Sequence, residues 1–189
     1  MNTNKLNINE LPIWGEIKLG TGLKTAFDFR IALKKVGIIV GNLGDDSADA
    51  MLGNLAFKVA KKETEAELVV VTNAELGFGY EGTTVKKTYA RAKELGLELC
   101  PNEVGPQLCL QYRDRVEKEK PFFLIAMRSM ALRNLYGSKV MNVFNIFYVS
   151  PYDNEYEGDD GVWLGGNKGG PQDVWLGNTS WVFVRRGLK

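Results

Sequence analysis

Between Thr25 and Val36 apolar residues recur at helical spacing. Phe29, Ala32, Leu33 and Val36 form a stripe flanked by Phe27 and Ile31, while Asp28, Arg30, Lys34 and Lys35 face the other way. Thr25 stands where it can cap this helix, and Gly37 where it can stop it. "GDDSADAMLG" (Gly44–Gly53) predicts a short second helix with acids in its first turn, where the macrodipole favours them. The clearest helix starts at Thr83 or Thr84 and reaches Leu95 just ahead of Gly96. Val85, Tyr89, Ala92 and Leu95 share one of its faces.

Other stretches alternate at period two or are continuously apolar. "LAFKVA" (Leu55–Ala60) predicts a strand, and "AELVVVT" (Ala66–Thr72) one covered on both faces. Beyond Cys100 the pattern is strand and turn. "QLCLQY" (Gln107–Tyr112) sets Leu108, Leu110 and Tyr112 on one side, and a charged loop, "RDRVEKEK", leads to a hairpin pattern, "PFFLIAMRSM". Val140–Val149, Gly161–Leu164 and Ser180–Arg186 supply further strands. Residues 1–24 read as an arm ending in the glycine turn "LGTGLK". Residues 25–189 then form one α+β domain, with N-terminal helices packed on a mainly antiparallel, C-terminal β-meander sheet. "GVWLGGN" and "DVWLGNT" repeat a Val-Trp-Leu-Gly unit, too few copies for a repeat fold. Tryptophans so placed either stack on sugars or bases or close the end of a sheet, and closure is the expectation.

Composition narrows the chemistry. A chain of 189 residues, 44% hydrophobic and 25% charged, can bury a sizeable core as a soluble globular protein. A net charge of +1 argues against a dominant nucleic-acid or membrane footprint. There is no signal-peptide core and no apolar run of spanning length, so a cytoplasmic location with no membrane partner is expected. Cys100 and Cys109 make no disulfide scaffold and read as buried reduced thiols. Histidine is absent altogether, which excludes Ser-His-Asp and Cys-His catalysis and histidine zinc sites. Carboxylates, Lys, Tyr, Cys or an oxygen-ligated metal remain; no cofactor is implied.

The candidate sites cluster around "ELGLELCPNEVGPQLCLQY" (Glu94–Tyr112). A helix–turn–helix reading sets Lys86, Lys87, Arg91 and Lys93 against phosphates. Its second helix, starting at Pro101, would carry Gly105 and Pro106 in its middle, where proline costs about 3 kcal/mol. A rigid corner feeding strand Gln107–Tyr112 avoids that cost. It makes the polar groups beside it, Glu98, Glu103, Gln111, Arg113 and Asp114, the first residues to inspect for binding. Cys100 lacks a histidine partner, and Glu98 and Glu103 oppose its thiolate. In "DNEYEGDDG" the alternating Asp153, Glu155 and Glu157, followed by Asp159, resemble the front of a calcium loop. Leu164 replaces the closing bidentate glutamate. "GTGLKT" (Gly20–Thr25) lacks both P-loop spacing and a preceding buried strand.

The block "ELGLELCP-x-EVGPQL", with "KLGTGLKTAFDFRIALKK" before it and "LIAM", "VFNI", "GVWL" and "WVFVRR" after it, resembles a family of small, uncharacterised bacterial proteins from mostly uncultured lineages. Cys109 departs from that pattern, in which an arginine is more usual, and "MRSMALRNLYGSKVM" is an unusual insertion. The resemblance implies no activity, ligand or cofactor. The sequence therefore points first to a non-enzymatic binding or interaction protein whose partner is a protein or small molecule. A nucleic-acid-associated regulator using helix 84–95 is the alternative, and a carboxylate- or metal-dependent enzyme stands third.

Overall fold

In the computed structural model, the arm expected over residues 1–24 is, from Ile13 onward, part of the sheet. The structure describes residues 11–41, 47–136, 139–153 and 160–185, without the side chains of 133–145, 152–153 and 160. Strand β1 (Ile13–Leu19) leads into helix α1 (Ala26–Lys35), β2 (Ile39–Val40), α2 (Ala48–Leu52), β3 (Thr64–Thr72) and β4 (Thr83–Thr84). Helix α3 (Val85–Glu94), β5 (Leu97–Glu98), α4 (Val104–Gln111) and α5 (Arg113–Glu119) follow. The chain ends in β6 (Phe123–Ile125), β7 (Met130–Tyr136), β8 (Lys139–Asp153), β9 (Asp160–Lys168), β10 (Val174–Trp175) and β11 (Ser180–Arg185). No helix among the described residues is long and apolar enough to cross a membrane.

The predicted caps form. Thr25 accepts from Asp28 N while the Asp28 carboxylate takes Thr25 N, a complete capping box. Thr84 accepts from Lys87 N at the start of α3.

The α+β class holds, but the arrangement differs from a C-terminal meander. The main sheet runs β1-β3-β11-β6-β8-β9-β2, with β5 beside β11 and β7 beside β8. The N-terminal strands β1 and β3 thus lie next to the C-terminal β11. The sheet is mixed, because β6 runs parallel to β11 and β2 parallel to β9. Parallel neighbours need crossovers: α2 to α5 lie in the long one from β2 to β9, whereas β7 to β10 make up the one from β6 to β11. "PFFLIAMRSM" is no hairpin: β6 and β7 both pair with β8, at Phe123–Val149 and Met130–Asn145.

Both faces of the sheet are used. Trp181 and Phe183 of β11 lie level with Val71 and Val69 of β3, and Tyr89 of α3 packs edge-on against both aromatic rings. The opposite face carries Ile17, Leu68, Val182 and Phe147, and α4 lies across it. A Cβ on Gly105 would stand 2.9 Å from Phe147 Cβ, so glycine lets α4 press onto β8.

Helix α4 overturns two expectations at once. The strand expected over Gln107–Tyr112 is helix as far as Gln111, and Cys100–Gln107 is no simple corner. Pro106 sits third in the helix, where its missing N–H has no intrahelical partner to lose, so the penalty assigned to a mid-helix proline does not apply. Val104 to Cys109 are all buried, which also rules out a probe with its outer flank in water. The charged "RDRVEKEK" is helix α5, laced by the i,i+4 pairs Arg113–Glu117 and Arg115–Glu119. "LAFKVA" is irregular. Its alternation seats Phe57 between Phe29 and Phe147, but Lys58 N and Ala60 N bond to Asn102 and Glu103 side chains instead of a strand.

Candidate functional site

Helix α3 ends at Glu94, and the chain turns through Gly96 into β5, which pairs with β11 at Val184 and Arg185. This turn leaves a cavity of about 390 Å³ between the end of the helix and the sheet. Its walls are Ala90, Leu97, Leu99, Phe183 and the ring of Tyr89, and its remaining lining is Gly96, Lys93 and Glu98. Leu97 and Phe183 are buried, whereas Leu99 is 41% exposed, so an apolar surface continues from the core to the mouth. Lys93 and Glu98 are exposed and add one charge of each sign to that apolar hollow. Tyr89 is a neutral wall: its hydroxyl donates to Met127 O at 3.0 Å, and burial pushes its phenol well above the usual range. The volume and the apolar lining with few polar groups are those of small-molecule sites.

The residues named from sequence have separate fates. Lys93 and Glu98, proposed for different roles, meet at this cavity. Arg91 is engaged within the fold, its Nε donating to Leu76 O and its Nη1 to Glu94. Lys86 and Lys87 are exposed at the far end of the same helix. The basic set is therefore not one continuous stripe.

Glu103 is fully buried, and its carboxylate accepts from Ala60 N at 2.8 Å and Gly20 N at 3.2 Å. Gln111 exchanges both kinds of bond with the Lys18 backbone, accepting from N and donating to O at 3.0 and 2.7 Å. Between them Gln107, 1% exposed, donates to Thr21 and accepts from Gln111. Tyr112 donates to Glu16 O, and Arg115 donates to Trp14 O while lying 4.3 Å over the Trp14 ring. Strand β1 is the last strand at its end of the sheet, so these side chains occupy the backbone groups of a free edge. Glu103 and Gln111 thus serve the fold. The signal was legible as a polar residue every fourth position, 103, 107 and 111, within an otherwise apolar stretch.

Arg113 pairs with Glu117 at 2.8 Å and Asp114 is exposed on α5; they line a separate hollow of about 250 Å³ along residues 110–115. Of the metal candidates, Glu155, Glu157 and Asp159 lie outside the described residues, and Asp153 is described only as backbone ending β8. Among the described residues no three His, Cys, Asp or Glu side chains gather. Both thiols are buried and reduced, and burial pushes their pKa values far up, away from nucleophilic use. Trp181 is wholly buried and Trp175 half-buried against it, its indole donating to Lys168 O at 3.2 Å. These two tryptophans pack into the fold, while Trp163 is half-buried on β9.

The apolar wall of the cavity is what sequence reasoning missed. Its signal was slight: Leu97 and Leu99 alternate with Glu98 in a segment too short to announce a strand. No family model, curated protein or solved structure matches the chain, so the chemistry of the site has to come from its own residues.

Proposed function

We propose that this protein is a non-enzymatic binding protein whose ligand is a small amphipathic molecule, its apolar body seated against Leu97, Leu99 and Phe183. Lys93 and Glu98 engage the ligand's ionic groups. The observation that carries this reading is the juxtaposition of an apolar hollow of about 390 Å³ with one cation and one anion. The non-catalytic part draws support from the engaged state of Glu103 and the sealed thiols, which remove the most reactive-looking groups named from sequence. Reduced buried thiols also suit a reducing compartment, so a cytoplasmic location belongs with the proposal.

A panel of small amphipathic acids, amines and zwitterions titrated calorimetrically tests it. Ala90 is exposed on α3 and lines the cavity, so Ala90→Trp fills the hollow from outside without entering the core. The expected result is saturable binding of at least one class, lost in Ala90→Trp and weakened in Lys93→Glu or Glu98→Lys. No saturable binding, or binding untouched by Ala90→Trp, overturns the proposal.

One observation favours the nucleic-acid reading. Lys86 and Lys87 stand exposed in the first turn of α3, where cations oppose the macrodipole. Retention on heparin or DNA that falls steeply with salt supports it; no retention at low salt removes it.

A further inference from the structure

We propose, resting on the binding reading of the cavity beside α3, that its amphipathic ligand is an α-amino acid with a large apolar side chain. Apart from Lys93 and Glu98, the hollow is lined by Ala90, Gly96, Leu97, Leu99, Phe183 and the Tyr89 ring. None of these side chains offers a free polar atom, since the Tyr89 hydroxyl already donates to Met127 O. A polar group of the ligand placed among them would lose its water without gaining a partner. Everything in the ligand beyond its ionic head is therefore apolar.

The charges at the mouth decide what that head is. Lys93 lies in the last turn of α3 and Glu98 on β5, just across the turn at Gly96. Both line the hollow, yet Lys93 forms no ion pair among the described residues, with Glu98 or with any other carboxylate. Their charged ends thus stand farther apart than a contact pair, with room for a dipolar head between them. Neighbouring charges are committed elsewhere. Arg91 pairs with Glu94 at 3.0 Å, and Arg185, opposite Leu97 on β11, holds Leu11 O and lies 3.8 Å from Glu67. Glu98 has an interaction of its own within the fold, and the several lone pairs of a carboxylate leave it able to accept from a second donor.

An ammonium and a carboxylate on one carbon, with an apolar side chain on the same carbon, meet both requirements. The carboxylate takes Lys93, the ammonium takes Glu98, and the side chain lies against Leu97, Leu99 and Phe183. A simple acid would bring its carboxylate to the mouth beside Glu98, and a simple amine its ammonium beside Lys93. Each then meets a like charge that the zwitterion neutralises. A peptide separates its termini along the chain, so only one of its charges reaches the mouth. Leu97 and Phe183 are buried and continue into the core, so a longer apolar side chain gains by burial, at about fourfold in affinity for each methylene covered. Lys93 and Glu98 are exposed, so the charges select the head while burial supplies most of the affinity.

The test is an NMR titration of the isotope-labelled full chain, read at the amides of Leu97 and Leu99. Its ligands share one aromatic body: L-phenylalanine, phenylpropanoate, phenylethylamine and phenylpropanol. Phenylalanine should bind most tightly, with the acid and the amine each weaker by about fivefold. L-alanine, which keeps the head and loses the body, should be weaker by about tenfold or more. Lys93→Gln should erase the advantage of phenylalanine over the amine without weakening the amine itself. Phenylalanine bound no more tightly than the better of the acid and the amine overturns the amino-acid proposal, as does an undiminished advantage in Lys93→Gln. Binding of the acid, amine or alcohol that is lost in Ala90→Trp would then still uphold the cavity as a binding site. Absence of saturable shifts with all of these ligands overturns both.

Discussion

Two polar groups lie close together in the chain and have opposite fates. Glu103, Gln107, Gln111 and Arg115 follow one another every fourth position and are engaged by the β1 backbone, by Gly20 N and the Thr21 side chain just after it, and by Ala60 N. Lys93 and Glu98 border an apolar hollow and reach solvent. Within the first group Glu103 and Gln107 are buried and therefore have to be satisfied by their neighbours. The second keeps ionic side chains at the surface beside apolar walls that the fold leaves open. Polarity alone does not mark a site; polarity exposed next to uncovered apolar surface is the better guide.

The largest effect expected from this contrast is at Glu103. Glu103→Ala leaves the N–H groups of Gly20 and Ala60 without acceptors, and urea melts should register a loss of about 2–4 kcal/mol. A change below 1 kcal/mol, on the order of a surface substitution, would place Glu103 with the available residues instead.

Next comes the response to alkali. Burial raises the thiol pKa values of Cys100 and Cys109 above those of the unfolded chain. Their contribution is therefore fully present below the unfolded value, near 8.5, and is lost progressively as pH rises beyond it. The slope is about 1.4 kcal/mol per pH unit for each thiol. Tyr89, shifted the same way, adds to the loss above about pH 10. Melts from pH 7 to 10 should show the decline, and Cys100→Ala/Cys109→Ala should flatten its first part. A thiol reagent that labels either cysteine of the native protein as fast as the unfolded chain contradicts their burial.

Gln111→Ala removes both bonds to Lys18 and should cost about 1–2 kcal/mol. It also uncovers part of the β1 edge, so light scattering should reveal a greater tendency to self-associate. Smallest of all is Lys93→Ala, expected to move stability by no more than about 0.5 kcal/mol. A larger loss blurs the contrast, since it gives Lys93 a structural duty.

The parts of this molecule that were legible in sequence are those decided locally. Thr25 with Asp28, and Thr84 ahead of α3, set their helices by side-chain bonds three residues away. The β-branched run ending at Thr72 and the apolar core of "SWVFVR" became β3 and β11. What stayed hidden depended on partners distant in sequence. Helix α4 carries a proline that looks prohibitive until its start at Val104 puts Pro106 in the first turn. "LAFKVA" has a strand's alternation, yet its N–H groups are claimed by Asn102 and Glu103. Residues 1–24 seemed an arm because nothing nearby declares that β3 will pair with Ile13–Leu19. The cavity beside α3 was half visible: Lys93 and Glu98 were named, but its back wall is Phe183, supplied by the last described strand.

Chemical-shift mapping of a bound amphipathic ligand on the isotope-labelled chain tests the central claim most directly. Perturbations should gather at Ala90, Gly96, Leu97 and Leu99, with the amides of Gln107 to Gln111 unmoved. Shifts centred on α4 with the α3 cavity silent would contradict it.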